Sequence, residues 1–261
     1  MMQTHDTFRD VRVVITAGAS GIGLVYARRF AAAGARVALC DVDATAVAAA
    51  GTEIAGSIAR QADVTDEAQM DAFFGEVETQ WSGADVVIAN AGTGGPAGLI
   101  EDHSLEGWRA CLAVNLDGAF LTCRWAARVL KAGGGGSLIL MSSSAGLHGY
   151  PNRSPYATSK WGIIGLMKTL AMELGPHGVR VNAICPGSVE GDRMDRVLAN
   201  EAKATGLTEA ELRARYVAGV SLRSWVSADD VADAAMFLAS PAGAKISGQA
   251  LSVDGHTHSL A

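Results

Sequence analysis

Little in this chain is arranged for a metal, a membrane or a nucleic acid. Its four cysteines, Cys40, Cys111, Cys123 and Cys185, lie far apart, with no CxxC pair and no Cys/His ligand spacing. That excludes the common zinc frameworks and a disulfide scaffold; four isolated thiols read as buried side chains in a reducing compartment, and no metal is expected. No stretch reaches the roughly 18 uninterrupted apolar residues of a membrane span, and the first ten residues, MMQTHDTFRD, hold no apolar run of the signal-peptide type. The expectation is a cytoplasmic protein. Basic clusters are missing as well: 21 Lys and Arg stand against 27 Asp and Glu, a net charge of -6, which argues against nucleic acid or an anionic membrane as a partner. No low-complexity tract interrupts the 261 residues, 49% hydrophobic and 18% charged, so there is ample apolar surface for one large α/β domain over 1–261.

What is present centres on Val11 to Asp41. Val11 to Ile15 is a short, mostly β-branched run that reads as a buried strand, and Gly18, Gly21 and Gly23 follow it at once. Leu24 to Ala33 reads as a helix, with Ile22, Tyr26 and Phe30 on one face and Gly34 where helices stop. A second strand, Arg36 to Cys40, ends in Asp41. This order suits phosphate binding without a lysine: a helix N-terminus offers unpaired N–H groups and a partial positive charge, and glycine clears the approach. Asp41 lies 18 residues beyond Gly23 (41 minus 23), near the spacing of about 20 at which a carboxylate meets a ribose 2′-OH. A 2′-phosphate would meet a like charge there and find no cation at Ser20 or Val42, so NAD is expected rather than NADP. The competing explanation is that the glycines only permit tight packing.

Strand and helix patterns alternate through the rest of the chain. Strands are expected at Ser57 to Ala62, Asp85 to Ala89, Ser137 to Met141, Val179 to Ile184 (with Cys185-Pro186-Gly187 breaking the last) and Gln249 to Val253. Helices are expected at Ala44 to Ala50, from a Thr65 cap to Trp81, Leu105 to Leu130, Tyr156 to Leu174, and from a Ser227/Asp230 capping box to Leu238. That alternation predicts a Rossmann-type, doubly wound parallel sheet of about seven strands with helices on both faces, and ligands at the carboxyl ends of its strands. The polar stretch 188–216 reads as a mobile lid.

Tyr156 and Lys160, four apart, share one helix face. An ammonium beside a phenol favours the phenolate, and Ser143, at the end of the preceding strand, could hold a reacting oxygen while Tyr156 exchanges its proton. Alone, such a pair is common on solvated helix faces. Its position 13 residues after Ser143 (156 minus 143), in a chain with a dinucleotide loop, makes it informative.

These residues resemble the short-chain dehydrogenase/reductase family from about Val11 to Gly255. The matching pieces are Thr16-Ala17-Gly18-Ala19-Ser20-Gly21-Ile22-Gly23, Asp63-Val64, Asn90-Ala91-Gly92, Asn115, Ser143, Tyr156-Ala157-Thr158-Ser159-Lys160, Pro186-Gly187 and Val253-Asp254-Gly255. The resemblance implies that Tyr156 is the general acid/base, that Lys160 perturbs it and binds the nicotinamide ribose, that Ser143 positions the substrate and that Asn115 supports a proton relay to Lys160. It implies that Asp63 and Val64 contact the adenine side, that Asn90, Ala91 and Gly92 lie along the cofactor, and that the backbone after Pro186, through Gly187 and Val189, meets the carboxamide. It also implies a homotetramer, paired through the two long helices and the last strand. Gly118, Ala119, Ala126, Ala127, Leu166, Leu170 and Leu174 suit such pairing and equally suit a core.

Three departures stand out: Ala17 where the family has its first glycine, Gly191 where it has a threonine, and His256 in place of a terminal glycine. The expected reaction is hydride transfer between NAD and a secondary alcohol/ketone pair. Arg153, Arg193, His148, Glu190 and Asp192, beside Gly94 to Pro96, Ser144, Leu147, Tyr150 and Asn152, suggest a polar small molecule such as a sugar, polyol or hydroxy acid. An NADPH-dependent 3-oxoacyl or ketone reductase is the alternative, and a dinucleotide-binding sensor without turnover is the alternative of another class. His256 and His258 are left outside the expected site, and the five tryptophans are expected mostly in the core.

Overall fold

A computed structural model describes residues 7–258 apart from 192, 193, 196, 200, 201 and 203–205. Each apolar run becomes a strand: β1 (Arg12–Thr16), β2 (Arg36–Asp41), β3 (Ile58–Gln61), β4 (Val86–Ala89), β5 (Gly136–Met141), β6 (Val179–Pro186) and β7 (Ala250–Val253). They form one seven-stranded sheet in the order β3-β2-β1-β4-β5-β6-β7, parallel throughout. The chain therefore begins mid-sheet, winds outward through β2 and β3, and returns to wind the other way from β4. The winding direction reverses between β1 and β4, where ligands of such sheets bind.

The helices are α1 (Gly21–Ala32), α2 (Ala44–Glu53), α3 (Glu67–Trp81), α4 (Leu105–Leu112), α5 (Gly118–Ala132), α6 (Ser154–Leu174), α7 (Glu209–Ala218) and α8 (Ala228–Ala239). Side chains alternate between the two faces of each strand, so both faces of the sheet are apolar and each is covered by helices. On one face Val14, Ala38, Val87 and Leu138 pack with Phe74 and Val77 of α3, Trp125 of α5, and Ile163 and Met167 of α6. On the other, Val13, Ile15, Leu39, Ile88 and Ile139 pack with Tyr26 and Phe30 of α1, Val47 of α2, and Val231 and Leu238 of α8. Burying a side chain of this size contributes roughly 1.5–3 kcal/mol.

Several local expectations are corrected. Asp66, not Thr65, caps α3: its carboxylate accepts from the Gln69 amide at 3.1 Å, while the Thr65 hydroxyl is turned back onto Asp63 Oδ1 at 2.8 Å. A nearby Asp competes for a hydroxyl in this way at turns. The single helix expected over Leu105 to Leu130 is α4 and α5 joined by a π-helical turn at Ala113–Asp117. Cys185 and Pro186 do not break β6, because they lie within it and pair with Ser252 and Val253. The α1 and α6 helices also start earlier than expected, at Gly21 and Ser154.

Trp81 and Trp125 are buried, whereas Trp161 is exposed, as is Phe120 on α5. Of the expected lid, Val189 bridges Val226, Glu190 N–H donates to the Val226 carbonyl at 2.9 Å, and α7 carries a Thr208/Glu211 capping box. Asp192 and Arg193 lie outside the described residues. The Ser227/Asp230 capping box of α8 is present as expected. All four cysteines are buried, and burial pushes the Cys40 and Cys123 thiols up to about 12 and Cys185 to about 11, so they stay protonated and unreactive at neutral pH.

Candidate active site

The turn between β1 and α1 reverses the chain within four residues, and its glycines do different jobs. Gly18 packs the turn onto β2: its N–H donates to the Cys40 carbonyl at 2.9 Å, and a Cβ there would stand 2.7 Å from the Leu39 Cβ. Gly21, at φ +50, has nothing within 4 Å of where its Cβ would be. At Gly23 an added Cβ would lie 2.0 Å from the Ala17 carbonyl oxygen and 2.6 Å from Asn90 Nδ2. Ser20, the N-cap of α1, makes no side-chain cap bond, and no acid occupies the first turn. Asp43 and Asp66 cap α2 and α3, so α1 differs in offering its first N–H groups outward. An open, uncapped helix start with Ile22 and Gly23 behind it fits a pyrophosphate.

Ala17 occupies the left-handed region at φ 49, a strained conformation for a non-glycine residue. Left-handed backbone costs an L-residue roughly 1–2 kcal/mol, while Gly adds unfolded-state entropy worth about 0.4–1 kcal/mol. Ala17→Gly should therefore stabilise by up to about 1 kcal/mol, a rise in Tm of about 2–4 °C. A thermal melt with unchanged or lower Tm would show that the surrounding fold absorbs the strain.

Apart from Tyr156 and Lys160 on α6, the other expected cofactor residues follow or close strands at their carboxyl ends. Asp41, only 8% exposed, closes β2; its Oδ2 accepts from the Ala19 N–H at 3.2 Å and its Oδ1 from the Asp43 N–H at 3.3 Å. The second strand's acid is thus tied to the glycine turn. Asp63 and Val64 follow β3, with Val64 buried against Gly118 at the start of α5. Asn90 follows β4 and reaches across to β1: its Nδ2 donates to the carbonyls of Thr16 (3.1 Å) and Ala17 (2.9 Å), and its N–H to Thr16 Oγ1 at 3.0 Å. Ala91 N–H donates to the same hydroxyl. Gly187 N–H donates to the Val253 carbonyl at 3.0 Å, which seats the turn after Pro186 beside Asp254.

The proposed reacting groups gather at the ends of β5 and α6. Ser143, almost buried, opens a 3-10 turn over Ser144–Gly146, its Oγ accepting from the Ala145 N–H at 3.2 Å. That turn docks on α6, because Ser142 Oγ donates to the Lys160 carbonyl at 2.8 Å. Lys160 is 4% exposed; its Nζ lies 5.8 Å from the Tyr156 ring centroid and donates to the Met141 carbonyl at 2.9 Å. A Cβ on Gly92 would sit 3.2 Å from Lys160 Nζ and 3.3 Å from Asn115 Oδ1, so the backbone after Asn90 passes directly over both. Tyr156, one helical turn before Lys160, is half-buried.

Asn115 lies in the π turn, buried, in a two-way clasp with Thr93: the Thr93 N–H donates to Oδ1 at 2.7 Å and Nδ2 donates to the Thr93 carbonyl at 3.0 Å. Thr16, Thr93 and Ser159 were missed as contributors. Thr16 and Ser159 stand inside quoted motifs, but nothing in the sequence marks Thr93 as a partner of Asn115. The expected substrate loops do meet: Gly98 N–H donates to the Asn152 carbonyl at 2.9 Å, and Arg153 Nη1 lies 3.5 Å from the Gly94 carbonyl and 5.9 Å, by its Cζ, from the Tyr150 ring. Gly191 takes φ 132, and His256, at φ 65, has its Nδ1 2.7 Å from Ser221 Oγ.

Comparison with known proteins agrees with this geometry. Residues 16–258 match the family model described as enoyl-(acyl carrier protein) reductase. The chain is 34% identical over 249 residues to a D-beta-hydroxybutyrate dehydrogenase of Rhizobium meliloti (strain 1021), covering 93% of this chain and 96% of that protein. It is 36% identical over 246 residues to a galactitol 2-dehydrogenase of Agrobacterium fabrum (strain C58 / ATCC 33970), covering 93% and 95%. The crystal structure of an NAD+-bound xylitol dehydrogenase superposes with a TM-score of 0.90 at 27% identity, covering 96% of this chain and 100% of that one. With a parallel sheet of this order, a bare helix start beside β1 and a Tyr/Lys pair on α6 against the end of β5, the chain belongs to the short-chain dehydrogenase/reductase family of oxidoreductases.

Proposed function

We propose that the enzyme uses NAD to interconvert a secondary alcohol and a ketone on a polar small molecule, with Tyr156, Lys160, Ser143 and Asn115 as its reacting and supporting groups. The observation that carries this is Lys160, an almost fully buried ammonium one turn from a half-exposed phenol and beside the carboxyl ends of β4 and β5. A nicotinamide held there would supply or accept the hydride. Tyr156 gives its proton to the carbonyl oxygen or takes it from the alcohol, Lys160 favours the charged phenolate, and Ser143 donates a hydrogen bond to the same oxygen. Asn115 holds the relay behind Lys160.

Asp41 supports NAD over NADP, since its carboxylate is tied to the glycine turn and the next side chain, Val42, is apolar and exposed. Relatives that act on hydroxybutyrate and galactitol support a hydroxy acid or polyol, and Arg153, between the Gly94 carbonyl and the Tyr150 ring, suits either. We read 188–216 as a substrate lid. Exposed Leu105, Phe120, Trp161 and Met172 on α4, α5 and α6 support the pairing of copies into a homotetramer. Four buried cysteines outside any disulfide suit the cytoplasm.

The test follows nicotinamide absorbance over polyols, hydroxy acids and lipophilic alcohols with each dinucleotide. Turnover of polar substrates with NAD is expected, and Asp41→Ala should raise the NAD KM about 10- to 100-fold, since hydrogen bonds to a charged group are worth about 1.5–3 kcal/mol. Preference for NADP, or for lipophilic alcohols alone, would overturn the assignment.

A further inference from the structure

Ser159 has no part in the scheme above, yet it is fully buried and joined to both halves of it. Its hydroxyl donates to the Tyr156 carbonyl at 2.7 Å, the back-bond that a helical serine makes within its own helix. Its one proton is thereby used, and only acceptor capacity remains. Asn115 Nδ2 fills that capacity from the neighbouring π turn at 2.8 Å. The second Nδ2 hydrogen goes to the Thr93 carbonyl, and Oδ1 takes the Thr93 N–H. The amide is thus held from two directions, by a loop on one side and by α6 on the other. Its Oδ1 borders the space over Gly92 that Lys160 Nζ also borders.

We infer that Ser159 is a positioning residue for proton transfer, one hydroxyl that pins the Asn115 amide to the turn of α6 that carries Tyr156 and Lys160. This rests on the assignment of Tyr156 and Lys160 as the reacting pair. A serine kept only for packing could be alanine, because burying an unpaired hydroxyl is unfavourable, whereas this one has both a donor and an acceptor partner. Without it, Asn115 Nδ2 has only Cys111 Sγ, 3.5 Å away and a weak acceptor, in place of the lost oxygen. The amide then turns towards the sulfur, and Oδ1 leaves the space next to Lys160.

The experiment is a double-mutant cycle on the full-length enzyme, read as kcat for alcohol oxidation and as its solvent deuterium isotope effect. Ser159→Ala should lower kcat about tenfold, part of the 10²–10⁴ that general acid–base transfer contributes, and raise the isotope effect, with the alcohol KM little changed. In an Asn115→Ala background the same change should cost less than about twofold, since groups acting as a unit are non-additive. Ser159→Cys keeps the volume but replaces the strong acceptor by a weak one, and should be as slow as Ser159→Ala while melting near the parent. Full rates in Ser159→Ala or Ser159→Cys, or losses that multiply across the cycle, would overturn the inference if Tyr156→Phe is inactive. Turnover by Tyr156→Phe would overturn the reacting pair and this inference together.

Discussion

Tyr156→Phe leaves a folded, dinucleotide-binding protein whose kcat is lower by about 10²–10⁴. The magnitude is that of a positioned general acid or base, and the variant removes nothing else. The aromatic ring remains half-buried at the same place on α6, Lys160 keeps its bond to the Met141 carbonyl, and the Ser159 hydroxyl bonds to the Tyr156 backbone rather than to its phenol. Melting temperature and NAD affinity should therefore match the parent. The decisive comparison is kcat beside fluorescence titration of bound NADH. Wild-type kcat would remove Tyr156 from the chemistry, and a parallel collapse of binding would make its role one of cofactor seating.

Gly23→Ala should be the most damaging single-methyl change on the cofactor side. The added carbon would lie 2.0 Å from the Ala17 carbonyl oxygen, far inside contact distance. Neither neighbour can yield cheaply: Ala17 is held at φ 49, and its carbonyl accepts from Asn90 Nδ2. Overpacking of this kind costs about 1–3 kcal/mol or more, a drop of several degrees in Tm, and the displaced turn would also lose its fit to a pyrophosphate. NAD affinity is expected to fall by about 10²-fold, because about 1.4 kcal/mol is worth each factor of ten. Gly75→Ala in α3 and Gly165→Ala in α6 are the controls. No atom lies within 4 Å of either added Cβ, and alanine is the better helix former by about 1 kcal/mol, so both should be neutral or stabilising. Equal NAD affinity in Gly23→Ala and its controls would mean that the close approach at Gly23 is not what shapes the cradle.

The fold was legible because its strands announce themselves twice, by apolar runs covered on both faces and by turn residues at their carboxyl ends. Asp41, Asn90, Ser143 and Gly187 could be placed near one edge from sequence, since each closes or follows such a run. What escaped was whatever depends on a partner distant in the chain. The π turn around Asn115 has no local marker: Val114, Asn115 and Leu116 are unexceptional in a helix, and the bulge is stabilised by Thr93 on a loop 22 residues earlier. Thr65 has a hydroxyl competent to cap, but Asp63 accepts its hydrogen bond instead. Phe120 fits the period of its helix yet faces outward, where the Arg124 guanidinium covers its ring at 5.5 Å. Periodicity gives a stripe but not what lies against it.

A single strand, β4, separates the glycine turn at the end of β1 from the Ser143 turn at the end of β5. Two interstrand steps, about 9–10 Å, therefore separate the glycine turn from the Ser143 turn, and backbone hydrogen bonds set that length. Side-chain replacement hardly changes such a gauge. On the proposed assignment of Tyr156 and the glycine turn, substrate preference can change through loops such as 94–98 while the spacing of these two strand ends stays fixed by the sheet.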